Sequence, residues 1–110
     1  MNRQPIRADR IPPIKPDYPF VAFPRDFLGL VWPEISRAER ILWAYLWQAK
    51  DQESGIVPRH IHEMLRETGL RPRVFAEALR RLEVLELIVT ALDGRVQMLW
   101  PFPERFRKAG

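Results

Sequence analysis

Seven of the chain's 11 prolines fall within its first 33 residues: Pro5, Pro12, Pro13, Pro16, Pro19, Pro24 and Pro33. Each one fixes φ, removes a backbone donor and pushes its predecessor out of the helical region. No helix of useful length can form there, so residues 1–17 read as an extended basic arm. From Tyr18 the character changes. Tyr18, Phe20, Val21, Phe23, Phe27, Leu28, Leu30, Val31 and Trp32 are too apolar to leave in water. Residues 18–35 therefore form an aromatic lead-in that must pack on something, with one helical turn at Phe27-Leu28-Gly29-Leu30 begun near Pro24 or Asp26.

A chain of 110 residues gives room for one ordinary domain, and 46% apolar with 29% charged residues is a globular balance. With no cysteine, a disulfide framework, thiolate metal sites and a Cys nucleophile are excluded. The first residues contain no apolar leader segment, and no apolar run approaches the roughly 18 residues of a membrane span. A soluble, cytoplasmic protein is expected. The formal net charge is +4, with an excess of two bases in residues 1–30, another two in 101–110, and a nearly neutral middle. Basic termini around such a core suit arms lying on a polyanion, and they suit plain solubility equally.

Ser36-Arg37-Ala38-Glu39 reads as a capping box opening a helix to about Asp51. Ala38, Ile41, Leu42, Tyr45, Leu46 and Ala49 make one apolar face, and Trp43 and Trp47 a second stripe nearly opposite. The second stripe needs a cover, either the aromatic lead-in or another subunit. Ile56-Val57 is a short extended pair, and Pro58 suits the first position of a helix running to Thr68. Ile61, Met64 and Leu65 point inward, and Gly69 supplies a left-handed stop. Pro72 opens a third helix to about Leu85, with Phe75, Ala78, Leu79, Leu82 and Leu85 inward. Leu87–Leu92 and Arg95–Trp100 read as strands joined at Asp93-Gly94, expected as a type I′ turn. Residues 101–110 are left as a basic tail.

The fold class is thus α+β, mostly α. Helix, short strand, helix, glycine turn, helix and hairpin resembles the winged helix-turn-helix family over roughly residues 23–100, within a domain expected to span residues 18–100. The resemblance rests on Ile56-Val57-Pro58 through Ile61, on Met64-Leu65 and Gly69-Leu70, and on Ala78-Leu79-Arg80-Arg81-Leu82-Glu83 leading to Leu87-Ile88. Phe23-Pro24-Arg25-Asp26-Phe27-Leu28 is similar to the lead-in of phage and plasmid regulatory or replication members. Three positions depart from that pattern. Ahead of the wing, where a glycine is frequent, stands Glu86; the third helix is preceded by Arg71 in place of Ser or Thr; the wing tip is Asp93-Gly94-Arg95, an acid beside a base.

The resemblance makes the third helix the recognition helix. Arg73, Glu77, Arg80 and Val84 form its outward stripe, with Ala76 and Arg81 on the flanks. Arginine can pair with guanine O6 and N7, and glutamate can accept from cytosine N4. The plainer alternative is a solvated helix on which Glu77 pairs with a neighbouring arginine. Arg71 and Arg95 complete the expected DNA-binding set, with Arg105, Arg107 and Lys108 as phosphate-binding residues of the tail. Trp43 and Trp47 are either covered within one subunit or serve as interface anchors of a homodimer or partner complex. His60 and His62 point about 200° apart on a helix and cannot share a metal ion unaided. Only Ser36 and Ser54 offer a hydroxyl from serine, and no phosphate loop or His-Glu-x-x-His motif is present. No enzyme and no cofactor is expected. Two functions remain: a DNA-binding regulator of a mobile element, or a protein-interaction winged helix acting as adaptor or inhibitor. A continuous basic face would favour DNA; interruption by Glu77, Glu83 and Asp93 would favour a protein.

Overall fold

The structure, a computed structural model, describes Pro24 and residues 26–107. The expected arm over 1–17, the lead-in residues Tyr18, Phe20, Val21 and Phe23, and Lys108 lie outside the described residues. The chain enters through a π-helical turn, Phe27–Val31, and a 3-10 turn, Trp32–Glu34. Helix α1 (Arg37–Ala49) opens on the expected capping box. Ser36 Oγ accepts from the Glu39 amide at 3.3 Å, and Glu39 Oε1 accepts from the Ser36 amide at 3.2 Å.

Strand β1 (Ile56–Val57) leads to helix α2 (Ile61–Thr68), which begins three residues after Pro58. The Arg59 amide donates to the Val57 carbonyl at 2.9 Å, so Pro58 sits in a tight turn and does not start the helix. Glu63 instead reaches back to the His60 amide at 3.2 Å. Gly69, with φ of +71°, ends α2 as the sequence implied. Helix α3 (Pro72–Val84) starts on Pro72 and ends in a Schellman motif. There the Leu87 amide donates to Leu82 and the Glu86 amide to Glu83, both at 3.0 Å, with Glu86 at φ +61°.

Strands β2 (Ile88–Thr90) and β3 (Val96–Met98) form the expected hairpin, and β1 adds to it, giving an antiparallel sheet of order β1-β3-β2. Ile88 faces Met98 and Thr90 faces Val96, while Val57 also pairs with Val96. The type I′ expectation is corrected. The Gly94 amide bonds Ala91 O and the Ala91 amide bonds Arg95 O, closing a three-residue loop, Leu92-Asp93-Gly94. Only Gly94 has a positive φ in that loop, which is the pattern of a turn followed by a left-handed bulge residue.

The core runs between α1, α3 and the inner sheet face, where Val57, Ile88, Val96 and Met98 are buried. It also corrects the face assigned to α1. Leu42, Trp43, Leu46 and Trp47 are the buried set, whereas Ile41 is exposed and Tyr45 half-buried. The reason lies outside the helix. Phe27 stacks on Trp43 at 3.8 Å, Trp43 on Trp47 at 5.1 Å, and Phe102 closes on Trp43 at 5.9 Å. Cover from both flanking segments turns the tryptophan stripe inward. Likewise Ile61 on α2, expected inward, is 40% exposed, and Leu79 on α3 is only partly buried. The segment after Pro101, read as a basic tail, carries the buried Phe102 and Phe106 and a short helix α4 (Glu104–Arg107) that packs on the π-helical turn.

Candidate nucleic-acid interface

Helix α3 is amphipathic because Phe75, Ala78 and Leu82 recur at helical spacing and are buried, leaving one face to solvent. Arg71, Arg73, Glu77, Arg80, Arg81 and Val84 all lie exposed along it. Arg73 Nε meets Glu77 Oε1 at 3.3 Å, an i,i+4 pair in open solvent. This is the pairing anticipated as the plainer alternative. Among the described residues no ion pair reaches Arg71, Arg80 or Arg81.

Glu83 faces elsewhere. Its Oε2 accepts from the Thr90 amide on β2 at 2.9 Å, fastening the end of α3 to the hairpin. At the hairpin tip Arg95 is engaged twice by Asp93, through its amide at 3.0 Å and its Nε at 2.7 Å. The Arg95 amide, then the guanidinium, hold the Asp93 carboxyl below the usual carboxylate range. Leu92 beside them is wholly exposed, and Val84 is 63% exposed. Helix α3 and its cap thus carry three arginines with no ion pair among the described residues, one paired arginine and the exposed Val84, and the hairpin tip carries a second paired arginine and the exposed Leu92.

The remaining expected residues lie apart from this set. Arg105 on α4 stacks over Phe106 at 5.0 Å, fixed to the body of the molecule by that buried ring. Arg107 ends α4. Trp43 is fully buried and Trp47 8% exposed within the single chain. Among the described residues no group of three or more His, Cys, Asp or Glu could hold a metal ion, and no helix is long and apolar enough to cross a membrane.

One feature is not anticipated from the sequence. A groove of about 550 Å³ lies between the loop after α1 and the end of β3, with Trp47, Lys50, Gln97 and Trp100 on its walls. Trp100 is 53% exposed. The signal for it is the run Met98-Leu99-Trp100, which stays apolar past the end of β3 as far as Pro101. A search among protein-family models, curated proteins and solved structures finds no match to this chain.

Proposed function

We propose that the chain is a winged helix-turn-helix module that binds double-stranded DNA, with α3 in the major groove. The observation that carries this reading is the state of Arg71, Arg80 and Arg81. All three stand exposed on or at the start of one helix with no ion-pair partner among the described residues, while Glu83, the acid nearest Arg81 in sequence, is held on the Thr90 amide. Unpaired arginines on an uncovered helix offer both phosphate neutralisation and bidentate bonding to base edges. The order of elements and the hairpin beside α3 supply the geometry such a module uses. A regulatory role in transcription or replication of a mobile element belongs to the same reading and follows from the resemblance alone.

The test is binding to a pool of random duplexes across a salt series. Log affinity should fall linearly with log salt, and Arg80→Ala with Arg81→Ala should flatten the slope by roughly one unit for each phosphate that the wild-type side chain neutralises. A protein without salt-sensitive duplex affinity at low ionic strength would end this reading. A protein-docking face is the second reading, favoured by the exposed Val84 and Leu92 and by the neutralised pairs Arg73–Glu77 and Arg95–Asp93. In that case α3 substitutions would weaken partner capture and leave duplex affinity untouched.

A further inference from the structure

We infer that Glu83 is a positioning residue for duplex binding, setting the hairpin tip against α3; this rests on the DNA reading of α3. Among the described residues β2 is an edge strand, so a backbone group turned away from β3 has no further strand to meet. Register decides which groups those are. The Ala91 amide bonds Arg95 O at 2.8 Å and the Leu99 amide bonds Leu87 O at 3.1 Å, so Leu87 and Ala91 turn their bonding groups to β3. Thr90, opposite Val96, turns its amide outward, and Glu83 Oε2 accepts from it at 2.9 Å. The other edge is closed from within its own loop. There the Ile56 amide donates to Ser54 Oγ at 3.2 Å, and its carbonyl accepts from the Asp51 amide at 2.8 Å. The closure at Thr90 comes instead from α3.

Glu83 is anchored on both sides of the turn between α3 and β2. Its carbonyl accepts from the Glu86 amide at 3.0 Å within the Schellman motif, and its carboxylate reaches Thr90, seven residues on. Among the described residues no other α3 side chain hydrogen-bonds the sheet; the buried Leu82 and Ile88 add apolar burial, which is non-directional. Each end of the tie lies next to a presumptive contact. Glu83 follows Arg80 and Arg81 by three and two residues, and Thr90 adjoins Ala91, whose bond to Arg95 closes the tip loop. Arg95 is thereby held in a set position relative to Arg80 and Arg81. The charge of Glu83 acts the other way, since a carboxylate beside two arginines lowers the positive potential that phosphates meet. Geometry and charge therefore give opposite signs for its removal.

Glu83→Gln and Glu83→Ala in the full chain separate the two. Both remove the same charge, and only glutamine keeps an acceptor for the Thr90 amide. On mixed-sequence duplex at low salt, Glu83→Gln should bind at least as tightly as the wild type, and Glu83→Ala roughly threefold or more weaker than Glu83→Gln. Adding Arg95→Ala should weaken Glu83→Gln and leave Glu83→Ala nearly unchanged, because a freed tip no longer meets the duplex in register. Hydrogen exchange reads the tie without DNA. The Thr90 amide should exchange about fivefold faster in Glu83→Ala than in Glu83→Gln. The Met98 amide, bonded to Gly55 O, should be unaltered in both, as the mark of an intact sheet. Equal duplex affinities of the two variants would overturn the inference and leave the DNA reading standing. So would an equal loss from Arg95→Ala in both, or a Thr90 amide that exchanges alike in both. A wild type without salt-sensitive duplex affinity would end the DNA reading and this role of Glu83 together.

Discussion

Glu86 holds a left-handed φ of +61° at the C-terminal cap of α3, a conformation that costs a non-glycine residue roughly 1–2 kcal/mol. Its amide is committed to Glu83 O, so the backbone cannot relax without breaking the Schellman motif. Glu86→Gly should remove that strain against about 0.4–1 kcal/mol of added unfolded-state freedom. The expected net gain is about 0.5–1 kcal/mol, read as a higher urea midpoint with an unchanged slope. Gly94 presents the converse case. A Cβ there would meet nothing within 4 Å, so Gly94→Val is penalised by its φ of +87° alone. A loss of about 1–2 kcal/mol is expected in the same measurement. These residues also mark what single letters disclose. Asp93-Gly94 and Thr68-Gly69 announce their turns, whereas nothing in a glutamate signals a left-handed cap; only the resemblance, with its usual glycine there, pointed to position 86. Asp93-Gly94 in turn located the hairpin without fixing its loop length, because Gly94 serves a three-residue loop as readily as a two-residue one.

Elements are joined here by a few polar ties, of which Tyr45 makes the clearest. Its hydroxyl donates to Glu67 Oε1 at 2.6 Å, and Arg59 approaches the same carboxylate at 3.7 Å, so α1, α2 and the turn before α2 meet at one point. Burial, then the bond to Glu67 and its charge, push the Tyr45 pKa up to about 12 from the ordinary 10. The folded state therefore holds this proton more tightly than the unfolded chain. The tie contributes fully below pH 10 and is lost as pH rises through 12. Urea midpoints taken from about pH 9 upward should fall across that window, and Tyr45→Phe should remove that part of the fall while lowering stability below it. Phenolate absorbance should show a matching late transition that the variant lacks. The capping box, Pro72 and the α3 face were all legible because their causes are local. The buried face of α1 was legible only in part: the Trp43–Trp47 stripe was expected to need a cover, which Phe27 of the lead-in helps supply. Periodicity alone grouped Ile41 and Tyr45 with Leu42 and Leu46, and only rings from Phe27 and Phe102, 16 residues before and 59 after Trp43, decide that Trp43 and Trp47 are core.

At the scale of the whole molecule, the two ends of the described chain close over α1, with Phe27 and Phe102 both on Trp43. Phe102→Ala, in a segment that reads as a tail, should cost about 3–5 kcal/mol in chemical denaturation, since the ring is 1% exposed among Phe27, Trp43 and Trp100. A cost under about 1 kcal/mol would mean that the C-terminal segment is not part of the core. Charge on α3 and the hairpin is balanced differently. The acid on the outward stripe of α3 and the acid at the hairpin tip sit in exposed pairs, Glu77 with Arg73 and Asp93 with Arg95. Solvent-exposed pairs contribute little to folding, so neutralising either acid should leave stability nearly unchanged while adding one net positive charge. If α3 and the hairpin lie on DNA, Asp93→Asn should tighten duplex binding several-fold at low salt. The gain should shrink as salt rises and should not depend on duplex sequence, because it acts through phosphates. Glu77 sits on the outward stripe itself, where a carboxylate can also accept from cytosine N4. Selection from a random pool therefore separates its two roles. As a mere neutraliser of Arg73, Glu77→Gln should enrich the same sequences as the wild type with uniformly higher affinity; as a base-reading residue, it should change the preferred base at one position. Unchanged low-salt affinity in both variants would remove α3 from the DNA and leave the same arginines, with Val84 and Leu92, as a protein-binding face.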